Sequence, residues 1–188
     1  MTLGLATCDD NGIYIAIESQ GLPVIGGSLL KLGFPLLLDS KILQLNHQPR
    51  IVAVVAGGLE HWADVAANFD ADTSVKNAAE KVIKLLDTYT NKDNQAYALV
   101  CGYEDDRPVC YRINRFEKKD KTEIPITEKL KCIQAVGSSK YAEKAKEFAK
   151  KAIDPGKRHP LVALVESIDS FLPGSMIRYP NHTLVIRP

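Results

Sequence analysis

The segment Arg50–Ala56 runs Ile51-Val52-Ala53-Val54-Val55-Ala56 without a polar residue, where a strand with one wet face would alternate. Such a strand needs cover on both faces. Residues 36–45 have the same character, broken by Lys41, and an Asn46-His47-Gln48-Pro49 turn separates the two. A second strand pair is expected at 95–102 and 108–116 around Glu104-Asp105-Asp106-Arg107, with a further strand at 131–136. Apolar residues at helical spacing mark four helices. The first is opened by Gly57 and Gly58 and carries Leu59, Trp62, Ala66 and Phe69 on one face. The second is capped by Asp72 or Thr73 and carries Val75, Ala78, Val82 and Leu86. The third is capped by Ser138 or Ser139 and presents Ala142, Ala145, Phe148 and Ala149, and the fourth starts at Pro160 and reaches about Phe171. Strands at 175–179 and 182–186 close the chain. Strands, two helices, strands, two helices, strands: this order predicts an α+β fold of two stacked antiparallel sheets flanked by helix pairs, a four-layer αββα sandwich, formed by residues 1–188 as one domain.

The start of the chain carries the chemistry. A methionine before a small residue is ordinarily removed, which makes Thr2 the N-terminal residue with no propeptide to cleave. A threonine hydroxyl is a weak nucleophile until a base takes its proton, and the α-amine of the same residue can be that base. That amine titrates at about 7.7 to 8.0, against about 10.4 for a lysine, so a useful fraction is neutral in the cell. The mechanism further needs a nearby lysine, a carboxylate to orient it and a backbone N–H for the oxyanion. The candidates are Lys41, Glu18 and the N–H of Gly57.

Residues 3–8 and 13–18 read as a hairpin around Asp10-Asn11-Gly12. With a three-residue loop and a left-handed Gly12, position 4 faces position 18, and Thr2 and Glu18 share a face with Gly4, Ala6 and Ala16. A two-residue Asn11-Gly12 loop shifts the register by one and puts Glu18 on the other face. Bland readings stand beside the catalytic ones. Lys41 fits an edge strand, the Gly57-Gly58 pair fits a tight strand-to-helix turn, and Ser138 fits a helix cap. Residues 20–35, punctuated by Gly21, Pro23, Gly26, Gly27, Gly33 and Pro35, form either a wall of a substrate channel or a core-covering insertion.

Thr2 opening a strand, the Gly12 turn, the Ala16-Ile17-Glu18-Ser19 strand end, Ser40-Lys41 before an apolar strand, Ala56-Gly57-Gly58 and Val136-Gly137-Ser138-Ser139 together resemble the proteasome β-subunit family. Bacterial HslV-type proteases and the smaller stand-alone bacterial homologues look nearest, over most of the chain and in the right order. The resemblance implies an N-terminal nucleophile hydrolase fold and a threonine peptidase. By it, Thr2 is the nucleophile, Lys41 lowers the proton affinity of its amine, Gly57 gives the oxyanion N–H, and Ser138 joins the network around the amine. Val55 lines the pocket for the residue before the cleaved bond, and Gln20 and Gly58 border the substrate. Asp169 and Ser170 lie near where the family carries a late aspartate and serine. The resemblance also implies a homo-oligomeric ring enclosing the sites, peptide or unfolded-protein substrates, an ATPase regulator and no cofactor or metal. An inactive ring or interaction protein of the same fold is the alternative, because Glu18 stands where the family has aspartate. A small-amide hydrolase is a third reading, since the same nucleophile serves other amides.

The formal charge of +1 gives no strong field toward nucleic acid or an acidic membrane. No apolar run reaches about 18 residues, so no membrane span and a cytoplasmic location are expected. Cys8, Cys101, Cys110 and Cys132 lie in apolar runs without metal-ligand spacing and read as buried reduced thiols, with pairing between adjacent strands the weaker reading.

Overall fold

Strands that are apolar on both faces must lie between two other layers, and the fold follows from meeting that demand. The computed structural model describes residues 3–18, 42–47, 50–56, 74–89, 97–114, 133–137, 139–153, 158–171 and 182–188. In chain order these give β1 (Leu3–Asp9), β2 (Gly12–Ile17), β3 (Ile42–His47), β4 (Arg50–Ala56), α1 (Val75–Tyr89), β5 (Tyr97–Glu104), β6 (Arg107–Asn114), β7 (Gln134–Gly137), α2 (Ser139–Ile153), α3 (Pro160–Phe171) and β8 (His182–Ile186). The fold is mixed α+β, with two four-stranded antiparallel sheets ordered β7-β1-β2-β8 and β3-β4-β5-β6. The helix expected from Gly57 and the strand segments at 36–41 and 175–179 lie outside the described residues.

Alternate residues of each strand enter different cores. Ile51, Ala53 and Val55 of β4 pack with Val75, Ala78 and Val82 of α1. Val52, Val54 and Ala56 face the other way, onto Ala6, Cys8, Ile13, Ile15 and Ile17 of the first hairpin. The opposite face of that hairpin, Leu3, Leu5, Tyr14 and Ala16, packs on Ala145, Ala149 and Leu164 of α2 and α3. The layers therefore run α1, one sheet, the other sheet, then α2 and α3.

The first hairpin departs from its expected register. Gly4 faces Ile17, Cys8 faces Ile13 and Asp9 faces Gly12, so the loop is Asp10-Asn11 alone and Gly12 belongs to β2. Asp9 closes it by accepting the Asn11 N–H on Oδ1 at 2.8 Å. Gly12 is required for another reason than a turn: a Cβ there would lie 2.7 Å from the carbonyl oxygen of Ile186 in β8. Two further boundaries shift. A bulge between Gln44 and Asn46 keeps Asn46 and His47 in β3, which the sequence reading assigned to the turn, and the Gln44 side-chain amide donates to the carbonyls of Asn46 and Ile51. The cap of α1 is Ser74 rather than Asp72 or Thr73, with Ser74 Oγ accepting the Asn77 N–H at 3.0 Å. Glu104 Oε1 accepts the Lys76 N–H at 2.7 Å, setting a carboxylate at the positive end of the helix. The β5–β6 turn at Asp105-Asp106, by contrast, falls where expected, both residues being left-handed at φ 47° and 62° as a two-residue hairpin loop demands.

A methyl group at position 12 would push against backbone, which cannot rotate away. Gly12→Ala should therefore lower unfolding free energy by about 1–3 kcal/mol in urea titration, with loss of amide protection in β8.

Candidate active site

The strand ends bring together the neighbours of the residues that the sequence singled out. Leu3, which follows Thr2, lies between Glu18 and Gly137: the Glu18 N–H donates to the Leu3 carbonyl at 3.0 Å, and Gly137, which precedes Ser138, is the register partner of Leu3 in β7. In the second sheet, β3 begins at Ile42, which follows Lys41, and β4 ends at Ala56, which precedes Gly57. Ile42 pairs with Val54, two residues before Ala56. The two sheets meet with these ends in line. A Cβ on Gly4 would come within 3.1 Å of Val54 Cγ1 and Ile17 Cδ1 and 3.0 Å of Val136 Cγ2. The start of β1, the ends of β2, β4 and β7, and the start of β3 thus share one end of the sandwich. Thr2, Gln20, Lys41, Gly57, Gly58 and Ser138 themselves lie outside the described residues.

Glu18 is the charged candidate within them. Its exposure is 0%, and burial of a carboxylate in its ionised form demands a charged or hydrogen-bonding partner. The register corrects its expected surroundings. Because Leu3 is its partner, Glu18 falls on the face of Leu3, Leu5, Tyr14 and Ala16, toward α2 and α3, and not on the face of Gly4 and Ala6. It reaches the shared end of the sandwich from the outer side of the sheet. Val55 is also a core residue, 1% exposed and packed with α1. Ser170 lies in α3, where its exposed Oγ donates to the Glu166 carbonyl at 2.7 Å, so its hydrogen bonding is satisfied within the helix.

The shifted titrations lie at the other end. Tyr14 and Tyr103 stand near the β1–β2 loop with Asp9. The Tyr14 hydroxyl donates to Asp9 Oδ2 at 3.2 Å, and burial, followed by that bond, raises its pKa. Tyr103 is pushed up to about 12, first by burial and then by the negative charges of Cys8, Asp9 and Tyr14. Its hydroxyl has no hydrogen-bond partner among the described residues. Sequence reading passed over Tyr103, since a tyrosine near a hairpin turn carries no signal of what the facing sheet brings against it. Among the described residues no cluster of His, Cys, Asp or Glu could hold a metal, and no helix is long and apolar enough to cross a membrane.

Comparison with protein families finds no matching family model, and comparison with curated proteins finds no match.

The phenol of Tyr103 ionises more readily in the unfolded chain, near the ordinary value of about 10, than in the folded one. Its stabilising effect is thus complete below about pH 10 and lost as pH climbs toward about 12. Absorbance titration of the seven tyrosines should show delayed phenolates from Tyr14 and Tyr103, the one near pH 12 being lost in Tyr103→Phe, and the same variant should flatten the alkaline loss of stability.

Proposed function

We propose that the chain is a threonine peptidase of the N-terminal nucleophile kind, with the four-layer αββα fold, acting inside a homo-oligomeric ring on peptides or unfolded protein. One observation carries the reading: strand ends adjoining Thr2, Gln20, Lys41, Gly57 and Ser138 share one end of the sandwich with buried Glu18, although they come from five separate strands. An edge strand, a tight turn and a helix cap explain Lys41, Gly57-Gly58 and Ser138 one at a time; a nucleophilic site gives one reason for all of them at one end of the fold.

In this mechanism, removal of Met1 frees the α-amine of Thr2. That amine takes the hydroxyl proton through a water as Oγ attacks the substrate carbonyl carbon, and the Gly57 N–H receives the developing oxyanion. The protonated amine returns the proton to the leaving nitrogen, and the acyl ester is then hydrolysed by water with the same base. Lys41 keeps the amine neutral by its positive charge, and Glu18 holds the lysine in place. The observed register puts Glu18 on the face opposite Gly4, which counts against its pairing with Lys41, so the role of Glu18 is tested separately from that of Thr2. An ATPase that feeds the ring is part of the same proposal.

The test is intact mass before and after an α,β-epoxyketone peptide, which requires both a threonine hydroxyl and its free amine. A stoichiometric adduct on protein lacking Met1, absent in Thr2→Ala, is expected. Glu18→Gln preserves volume and removes the charge, and should slow adduct formation on the order of a hundredfold. Met1 removed with no adduct would sink the peptidase reading.

A further inference from the structure

Cys101 and Cys110 stand directly opposite each other in β5 and β6. Both are 0% exposed, and Cys101 Sγ donates a hydrogen bond to Cys110 Sγ at 3.2 Å. Both are thiols in this structure. The hairpin geometry makes the juxtaposition more than a close packing contact. With Asp105-Asp106 as a two-residue loop, Glu104 and Arg107 form the first hydrogen-bonded pair, and the pairs then alternate. Tyr103 and Pro108 therefore form a non-hydrogen-bonded pair, which suits a proline with no N–H to give. Two steps on, Cys101 and Cys110 occupy the same kind of position, where Cα atoms are about 4.5 Å apart and side chains lie closest. That spacing falls inside the window of about 4.4–6.8 Å over which a disulfide closes without moving the backbone. Both residues belong to the core between the sheets.

We propose that Cys101 and Cys110 form a reversible thiol–disulfide couple that staples the β5–β6 hairpin when the protein meets a peroxide. Because β6 is the edge strand of its sheet, local opening of the hairpin admits water and peroxide and lets one thiol lose its proton to solvent. That thiolate attacks hydrogen peroxide to give a sulfenic acid and hydroxide, and the second thiol displaces the sulfenic oxygen as water and forms the S–S bond. Both sulfurs are thereby oxidised by one electron each, and the peroxide is reduced to two waters overall. The sulfurs have to close from 3.2 Å to about 2.05 Å, a movement that side-chain rotation supplies. Cys8 shares the inter-sheet layer but sits on the other sheet, without the directly opposed register. The couple lies away from the sandwich end where the candidate site gathers, so it belongs to the stability of the hairpin and not to the hydrolytic step.

The full chain would be treated with hydrogen peroxide, unfolded in the presence of iodoacetamide and weighed. Two of the four cysteines should escape alkylation, with a loss of two hydrogens, and dithiothreitol should restore all four. Cleavage at the acidic residues Glu104, Asp105 and Asp106, which lie between the pair, separates the two cysteine peptides unless the disulfide joins them. Cys8→Ala should leave the cross-link in place, whereas Cys110→Ala should abolish it. Full alkylation after oxidation, a cross-link to Cys8 or Cys132, or a bond that forms only between two chains would each overturn the proposal.

Discussion

The spacing between the two sheets is set by the inward face of β1, which is Gly4, Ala6 and Cys8. These are small, and the neighbouring inward face of β2 is Ile13, Ile15 and Ile17. The facing sheet answers with Val52, Val54 and Ala56 on β4 and Leu99 and Cys101 on β5. A small stripe beside a large one lets β1 settle close against β4 while the isoleucines fill the remaining depth, which is how a face-to-face sheet pair reaches interior packing density. A Cβ at Gly4 would press on the side chains of Val136, Ile17 and Val54 at 3.0–3.1 Å, so the bare glycine lets the start of β1 lie close to the end of β4. The gathering of strand ends at the candidate site is a consequence of that contact.

Much of this was legible in the chain itself, for identifiable reasons. Two-sided apolar strands such as Arg50–Ala56 announce a sheet covered on both faces, and Pro160 announces a helix start that the structure bears out to the residue. Asp105-Asp106 is a turn with no competitor, since both residues tolerate the left-handed conformation and apolar strands flank them. The first hairpin was harder. Asp9, Asp10, Asn11 and Gly12 are all turn formers, so local propensity cannot choose the loop; the choice comes from the Asp9 side chain on one side and from β8 crossing close to Gly12 on the other. The second of these is a contact between residues far apart in sequence, and no local pattern encodes it. The same error of one register carried Glu18 to the wrong face.

The polar groups of the first sheet divide between its two ends. At the loop end Tyr14, joined by Tyr103 from the facing sheet, lies near Asp9, and burial is the main cause that raises both phenol pKa values. Tyr14 also meets the His159 ring edge-on, with centroids 5.1 Å apart, and His159 Nδ1 accepts the Leu161 N–H at the start of α3. That end is thus held to the helix layer by side chains with a structural purpose. At the opposite end lies Glu18, buried at 0% exposure where β2 ends.

The strand order also bears on how the protein comes into being. The first hairpin occupies the two central positions of its sheet, while both flanking strands, β7 and β8, come from the last third of the chain. At a ribosome adding about 5–20 residues per second, β1 and β2 emerge with both of their hydrogen-bonding edges open and wait on the order of ten to thirty seconds for the strand at residues 182–186. During that interval an exposed isoleucine-rich hairpin invites pairing with other nascent chains or with a chaperone. The sheet built around β1 and β2 is the last to be completed.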